Sequence, residues 1–400
     1  MNGLAQMNAK DFNNDRIASP PQAQDVVEIV DELLAKAVAA GASDVHFEPT
    51  GTDLKVKYRL DGVLNPVESL PAVVADNIVA RLKVLGGLLT YRNDIPQEGR
   101  LELTGAAAEK VADVRLAIFP TIYGQRAVVR LFYRNEELMD LGRLGLPSQI
   151  ELQLKAIAAQ NQGVLLVTGP AGSGKSTTLA AMLRYIAATL PGKSIVTLED
   201  PVEIRIEGVT QTPITPHGQM TFPTALRSLL RQDPQVLMIG EIRDAETARI
   251  AVEAGLTGHL LMSTMHSGTP AGALLRLLEM GIEPYQVTSS ISAVVSQRLV
   301  RRLCDRCKRA TGERFEAVGC PACLGTGFRG RVLIVEMVRL DTELRKALLA
   351  KADLDQLQAL LQRRGHATLL TNGRELVETG ITTQDELRKV CGTNEGDLCL

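Results

Sequence analysis

VLLVTGPAGSGKS, residues 164–176, is an apolar run that breaks into glycine and then into lysine and serine. Val164 to Thr168 reads as a short buried strand. Gly169, Gly174, Lys175 and Ser176 follow at the spacing G-x-x-x-x-G-K-S. Each part of this turn, Gly169, Pro170, Ala171, Gly172, Ser173, Gly174, Lys175, Ser176 and Thr177, has a physical reason to meet phosphate. The glycines let successive backbone N–H groups point inward at phosphate oxygens. A helix opening near Lys175 adds its positive end. Lys175 brings a mobile charge to the β and γ phosphates, and Ser176 offers a hydroxyl to Mg²⁺. The alternative is an ordinary glycine-rich turn between strand and helix.

Outward from this turn, apolar strands alternate with amphipathic helical stretches: SIVTLED, VLMIGE and HLLMSTMH follow VLLVT. That alternation is the mark of a mainly parallel sheet with helices on both faces. In DPQVLMIGEIRD (233–244) the apolar run ends abruptly in Gly240, Glu241, Arg243 and Asp244. Val236 to Ile239 is expected beside the phosphate-loop strand, with its tip opening into the ligand crevice of such sheets. Glu241 would then orient and polarise a water that attacks the γ-phosphate. Alternatively it forms a rim salt bridge with Arg243. Many phosphate-loop proteins place Asp where Gly240 stands. Glu199 and Asp200, at the end of a second acidic strand, could make up that loss and share metal and water with Glu241. His266 closes another apolar strand and could sense the γ-phosphate; a satisfied structural histidine is the alternative. His259 is a weaker candidate taken by itself.

Four hundred residues exceed one ordinary core, so two or three domains are expected. Residues 1–24 are polar and read as a flexible segment. Helical periodicity begins at 25, with Asp25 as the expected N-cap and Gly41 as the stop. The strands DVHFEP, LKVKYRL and GVLNPV follow, the last two joined by an Asp61-Gly62 hairpin signal. A helix over 72–86 precedes strands at LELTG, KVADVRLAIFP and RAVVRLFYR, expected in a mixed sheet. This region, 25–140, is α+β. LMDLGRLGLP reads as the hinge out of it, with 141–147 as the linker. The α/β core spans 148–303, a cysteine-rich insert 304–330 and a polar helical region 331–400.

A net charge of −2, an aromatic share of 3% and no tryptophan argue against a nucleic-acid stripe or base-stacking platform. No apolar run approaches the roughly 20 residues that span a bilayer. The N-terminus lacks an apolar signal core, which predicts a cytoplasmic chain. Cysteines in a reducing compartment suggest thiols or metal ligands. Cys304, Cys307, Cys320 and Cys323 form C-x2-C-x12-C-x2-C, the pairing of two knuckles that suits a closed, structural tetrahedral Zn²⁺ site; reduced structural thiols are the alternative. Cys391 and Cys399 have no partner spacing.

Taken together, these segments resemble one family, the hexameric ATPases of type II secretion and type IV pilus assembly. The likeness covers the chain from Ser43 to about Glu336. GASDVHFEP, YRLDGVL, PQEGR, DVRLAIFPTIYGQRAVVRL and LGRLGLP look like the family's second N-terminal domain and the passage out of it. GPAGSGKSTTL looks like its Walker A, TLEDPVE its Asp box and FPTALRSLLRQDPQVLMIGEIRD its Walker B. TGHLLMSTMHS resembles its His box, and SQRLVRRLCDRC the approach to its cysteine motif. The resemblance implies a RecA-like P-loop NTPase core, an N-terminal α+β domain and a small zinc-binding insert.

By motif position, Glu241 takes the place of the catalytic glutamate, Glu199 its Asp-box partner, and His259 and His266 the His-box places. Arg115 and Arg130 fall where the family's N-domain arginines reach the nucleotide, with Arg100 a lesser candidate; arginines paired to carboxylates on a strand face are the alternative. Gln235 departs from the usual Asp at the strand entrance, and Ile204 from the usual Tyr after the Asp box.

The resemblance implies ATP, Mg²⁺ and Zn²⁺ as cofactors, a homo-hexamer and a polytopic inner-membrane platform protein as partner. It places the chain at the cytoplasmic face of that membrane, where hydrolysis would drive pilin or pseudopilin fibre assembly. Members of the family carry a further N-terminal domain that binds a membrane protein; this sequence begins almost directly at the second, so the likeness does not supply that partner. Retraction ATPases of the same family are the alternative, but they normally lack the tetracysteine insert. A RecA-like DNA translocase is a more distant one.

Overall fold

The computed structural model describes residues 23–103, 105–133, 140–214, 220–312 and 314–392. The expected flexible segment up to residue 22, the first residues of the hinge (138 and 139) and Cys399 lie outside the described residues. The chain divides into two compact units, 1–134 and 135–400.

In the N-terminal unit, α1 (Ala23–Ala39) is followed by β1 (Asp44–Pro49), β2 (Asp53–Leu60) and β3 (Val63–Pro71). Then come α2 (Ala75–Leu85), β4 (Gln97–Arg100), α3 (Ala106–Lys110), β5 (Val111–Thr121) and β6 (Gly124–Tyr133). The helix α1 starts two residues before Asp25, which lies in its first turn and is not its cap. Gly41 does end it, at φ +70°, a conformation open to glycine. Asp61 and Gly62 both have positive φ, 50° and 91°, as a two-residue hairpin between twisted strands requires.

The six strands run in the order β3-β2-β1-β6-β5-β4. Every pairing is antiparallel, where a mixed sheet was expected. Tight turns account for β2–β3 and β5–β6, since such turns can only return a strand antiparallel, whereas β1–β6 brings together segments far apart in the sequence. The edge strand is QEGR, not the expected LELTG; residues 101–103 are irregular, although the Leu101 N–H still bonds the Val114 carbonyl. One sheet face packs Val45, Phe47, Val56, Tyr58, Leu116, Ile118 and Val129 with Val30, Leu34, Ile78 and Leu82 of α1 and α2. The opposite face is charged.

The C-terminal unit opens with Leu141, Leu144 and Leu146 packed into its core, so the expected linker is apolar anchorage here. It continues with α4 (Ser148–Ala158), β7 (Gly163–Thr168), α5 (Lys175–Thr189), β8 (Ile195–Glu199), β9 (Thr210–Pro213), α6 (Phe222–Leu229) and β10 (Val236–Ile239). After these come α7 (Ala245–Leu256), β11 (Leu260–Met265), α8 (Pro270–Glu279), α9 (Pro284–Ser290) and β12 (Ile291–Leu303). A small ribbon, β13 (Arg309–Thr311) and β14 (Arg314–Glu316), precedes β15 (Phe328–Arg339). The last helices among the described residues are α10 (Thr342–Leu349), α11 (Leu354–Arg363), α12 (Leu369–Glu378) and α13 (Gln384–Cys391).

The seven-stranded sheet has the order β15-β12-β7-β11-β10-β8-β9. All its pairings are parallel except β12–β15, which is antiparallel. Val164 and Leu166 point to the layer of α6, α7, α8, α10 and α11. Leu165 and Val167 point to that of α4 and α5. The alternation of side chains buries both faces, as a continuously apolar strand demands.

The expected place of β10 needs correction. It does not lie beside β7: β11 stands between them, so the strand ending in His266 is the direct neighbour of the phosphate-loop strand. Sequence adjacency of motifs carries no strand order, because a parallel connection crosses the sheet through a helix and can skip a place.

Candidate nucleotide site and cysteine cluster

The C-terminal ends of β7, β8, β10 and β11 share one edge of the sheet, where a parallel sheet opens its crevice. A cavity of about 280 Å³ lies there. Among its lining residues are Gly172, Lys175 and Ser176 from the glycine-rich turn, Glu199, Asp200 and Glu203 after β8, Glu241 and Arg243 after β10, and His266 after β11. Gly174, in the left-handed region at φ 89°, caps α5, which then begins at Lys175. The free N–H groups and positive end of a helix therefore face the cavity wall at Lys175 and Ser176.

Lys175 Nζ donates to the carbonyls of Gly169 and Pro170, both at 2.9 Å. Burial holds its pKa below the ordinary lysine value; the Glu241 carboxylate opposes that shift and Arg298 adds to it. The amine and Glu241 thus feel one another across the cavity.

Glu241 is held on both oxygens. Arg243 Nε lies 2.7 Å from Oε2, and His266 Nε2 lies 3.0 Å from Oε1. The rim pair with Arg243 exists, and so does a second contact that ties the β10 tip to the β11 tip. Arg243 is 73% exposed and Glu241 15%, so water screens the arginine's side of that pair. The third charge of the run serves the next helix instead. Asp244 caps α7, accepting from the Thr247 N–H at 2.8 Å and its hydroxyl at 2.7 Å. Thr264 Oγ1 donates to the Gly240 carbonyl at 2.7 Å, fixing the turn that presents Glu241.

Glu199 accepts from Thr197 Oγ1 at 2.5 Å and Gln211 Nε2 at 3.0 Å, both on the same oxygen, Oε1. Glu203 was not singled out from the sequence, although it sits in TLEDPVE and its charge acts on Lys175. Ile204 lines the cavity as an aliphatic wall. Gln235, at the opposite end of β10, accepts from the Ser194 N–H at 2.6 Å and takes no part in the cavity.

The two His-box histidines part company. His266 borders the cavity, whereas His259 precedes β11 and contacts the Ala254 carbonyl at 3.1 Å through Nδ1. With the whole of β11 between them, roughly 20 Å at about 3.3 Å per residue separates the two.

Arg115 and Arg130 belong to the charged sheet face of the N-terminal unit. They are direct cross-strand partners, and Arg100 is the next in the row. Arg130 Nε lies 2.9 Å from Asp44 Oδ1, and Arg115 Nε 3.1 Å from Asp113 Oδ2, with its guanidinium 4.7 Å from the Phe132 ring centre. Arg100 reaches Asp113 at 3.9 Å. Strand-face pairing with carboxylates is therefore present for all three, and Arg130 remains 62% exposed.

The four cysteines of the insert converge, with one sulfur from each lying within 4.8 Å of all the others. The Cys304–Cys320, Cys307–Cys323 and Cys320–Cys323 sulfurs are 3.9, 3.8 and 3.8 Å apart. Thiolates at about 2.3 Å from a tetrahedral zinc stand about 3.8 Å apart, so the cluster fits that ion. Burial pushes the Cys323 thiol up, but backbone N–H groups of Cys320 and Gly327 aimed at its sulfur outweigh this and lower it to about 7. Leu324, Gly325 and Gly327 all take positive φ in the turn after the second pair. Cys391 stands apart from the cluster, half-buried on α13.

No helix among the described residues is long and apolar enough to cross a membrane. Comparison with known proteins gives a consistent answer. The family described as Type II/IV secretion system protein matches residues 21–389. The putative type II secretion system protein E of Escherichia coli K12 is 39% identical over 94% of this chain and 79% of its own length. The type IV pilus assembly ATPase PilB of Thermus thermophilus is 37% identical over 96% of this chain and 45% of its own length. Among solved structures, the pilus retraction motor PilT with bound ADP superposes with a TM-score of 0.61 over 92% of this chain and 98% of its own, at 23% identity, a likeness of fold. With its phosphate loop, its acidic strand ends and a match that spans nearly its whole length, the chain belongs to the Type II/IV secretion system protein family, the family of secretion and pilus-assembly ATPases.

Proposed function

We propose that this ATPase is a hexameric motor that couples ATP hydrolysis to movement of its N-terminal unit and so drives pilin or pseudopilin fibre assembly. The observation behind this reading is the single cavity shared by Lys175, Ser176 and Glu241, with Glu241 aligned by His266. Gly169 to Thr177 cradle the phosphates and Lys175 neutralises them. Ser176 would hold Mg²⁺ through its hydroxyl, and the ion would supply positive charge to the phosphates. Glu241 orients and deprotonates the attacking water, Glu199 supports the metal and water from the neighbouring strand tip, and His266 reports the γ-phosphate to Glu241. Arg115 and Arg130 neutralise charge that grows on the transferring phosphate. His259, at the opposite end of β11 from this cavity, takes no part in the proposed chemistry.

Cys304, Cys307, Cys320 and Cys323 hold a structural Zn²⁺, and this insert supports the assembly role over retraction. The motor works at the cytoplasmic face of the inner membrane through a polytopic platform protein. The experiment is Mg²⁺-dependent ATP hydrolysis by purified, zinc-replete protein, with particle mass measured alongside. Hydrolysis by a six-subunit particle is expected. A particle that binds ATP without turning it over would reduce the protein to a nucleotide-binding scaffold. Zinc stoichiometry should fall from about one per chain to near zero in Cys304→Ser; an unchanged value removes Cys304 from the ligand set.

A further inference from the structure

Strand β12 lies against β7 on the side away from β11, and its residues 296–298 meet two loops of the nucleotide cavity. Gln297 is wholly buried there. A buried amide must find partners for both its ends. Its Oε1 accepts from Thr178 Oγ1 at 3.1 Å, in the first turn of α5, and its Nε2 donates to the Ser173 carbonyl at 2.9 Å, within the glycine-rich turn. One side chain thus spans the phosphate loop and the helix that the loop feeds. The same residue presses on the loop's glycines. A Cβ at Gly169 would stand 2.5 Å from the Gln297 carbonyl oxygen, and one at Gly174 would stand 3.1 Å from Gln297 Nε2. Next to it, Ser296 Oγ and Arg298 Nη2 both donate to the Gly268 carbonyl, at 3.2 and 2.8 Å, in the loop after His266.

In a planar trans peptide the C=O and the following N–H point in opposite directions. With the Ser173 carbonyl fixed toward β12, the Gly174 N–H is fixed away from it, on the loop's free side. Were that peptide to turn over, the loop would lose one donor and present a carbonyl oxygen in its place. An anion would then meet a repulsive dipole where it needs an N–H.

We propose that Gln297 is a positioning residue for the phosphate loop: its buried amide locks the Ser173–Gly174 peptide in the orientation that receives phosphate. The proposal rests on the reading of this cavity as the ATP site, and it predicts an effect on nucleotide affinity with little on the chemical step. In Gln297→Glu the acceptor for Thr178 is retained, but an oxygen replaces the donor to Ser173. The KM for ATP and the Kd for ADP should each rise about tenfold, with kcat at saturating ATP within about twofold of wild type. Thr178→Val, which removes the hydroxyl that orients the amide, should raise KM about threefold, and Thr178→Ser should restore it.

Zinc content and the thermal midpoint of the nucleotide-free protein report folding. A wild-type KM in folded Gln297→Glu overturns the proposal, as does a fall in kcat with KM unchanged. If Gln297→Glu does not fold, a wild-type KM in Thr178→Val overturns it equally. Failure of the wild-type protein itself to bind ATP would overturn both this proposal and the nucleotide reading.

Discussion

In the sheet of the C-terminal unit every residue of β7, β10 and β11 is buried, because helices cover both faces. These three strands contain no charged residue, and their charges stand just beyond the strand tips. In the sheet of the N-terminal unit only one face is covered, and the other carries charge along the strands themselves. There Asp44 and His46 are buried on the central strand β1. Asp44 is shared by Arg130 and Arg59, its direct partners on the two flanking strands, at 2.9 and 3.1 Å. Glu48 is likewise shared by two cations, Arg126 and Lys57, at 2.9 and 2.5 Å, although Lys57 reaches it diagonally, its direct partner on β1 being His46. The difference teaches two ways to assemble a charged constellation. Topology gathers distant segments at one edge of a parallel sheet, whereas register lines up close ones across an antiparallel face. Arg115 and Arg130 stand directly opposite, an arrangement that is unfavourable for like charges unless carboxylates intervene. Asp113 and Asp44 do intervene.

Substitutions can break this contrast in order of severity. At the strand tips, Glu241→Gln should leave ATP binding intact and lower kcat by about 10³; turnover at the wild-type rate would remove Glu241 from the chemistry. Lys175→Ala should weaken ATP affinity by at least about 10²-fold, read by equilibrium binding. On the sheet face, Arg130→Ala should cost about 10² in kcat, below the range of a lone arginine finger because Arg115 remains. Its thermal midpoint should hardly move, since the side chain is mostly exposed. A fall in midpoint with unaltered kcat would make the arginine row purely structural.

Asp44 sharpens the comparison through pH. Burial pushes its carboxyl up, but Arg130, Ser43 and Arg59 more than reverse this, and its pKa lies below the ordinary value. A group depressed in the folded state stabilises it above the unfolded pKa of about 3.9 and loses that contribution as pH falls through the folded value. Asp44→Asn should therefore cost about 1–2 kcal/mol at pH 7 by urea unfolding, a modest figure because its arginine partners reach water. The gap between variant and wild type should close as the pH is lowered below 4. An equal gap at pH 7 and pH 3 would contradict the ion-pair account. Arg59→Ala should come last, within about 0.5 kcal/mol, as Arg130 still serves Asp44.

Much of the site was legible in short segments. The glycine spacing fixed where a phosphate loop and helix start would form, because only glycine adopts those backbone angles without penalty and the motif is contiguous. The paired cysteines were likewise local, and their sulfurs meet at tetrahedral spacing. Asp61-Gly62 specified its own turn. Properties that depend on distant segments were less legible. The antiparallel character of the whole N-terminal sheet and the shift of its edge strand to QEGR depended on which strands paired. Gln297 gave no signal of its own beyond standing in SQRL, since an amide becomes significant only when burial dictates its partners.

The sequence by itself determined the chemistry available to this protein: a phosphate-binding turn, acidic strand ends, arginines within strands and a thiolate cluster. These follow from residue types at short, fixed separations, which backbone geometry converts directly into local structure. The tertiary structure alone decided which of those groups meet. It placed β11 between β7 and β10, so that His266 reached Glu241 while His259 went to the far end of the same strand. Strand order and sheet edge are set by the burial of whole faces, a property of the assembled layers that no short stretch contains.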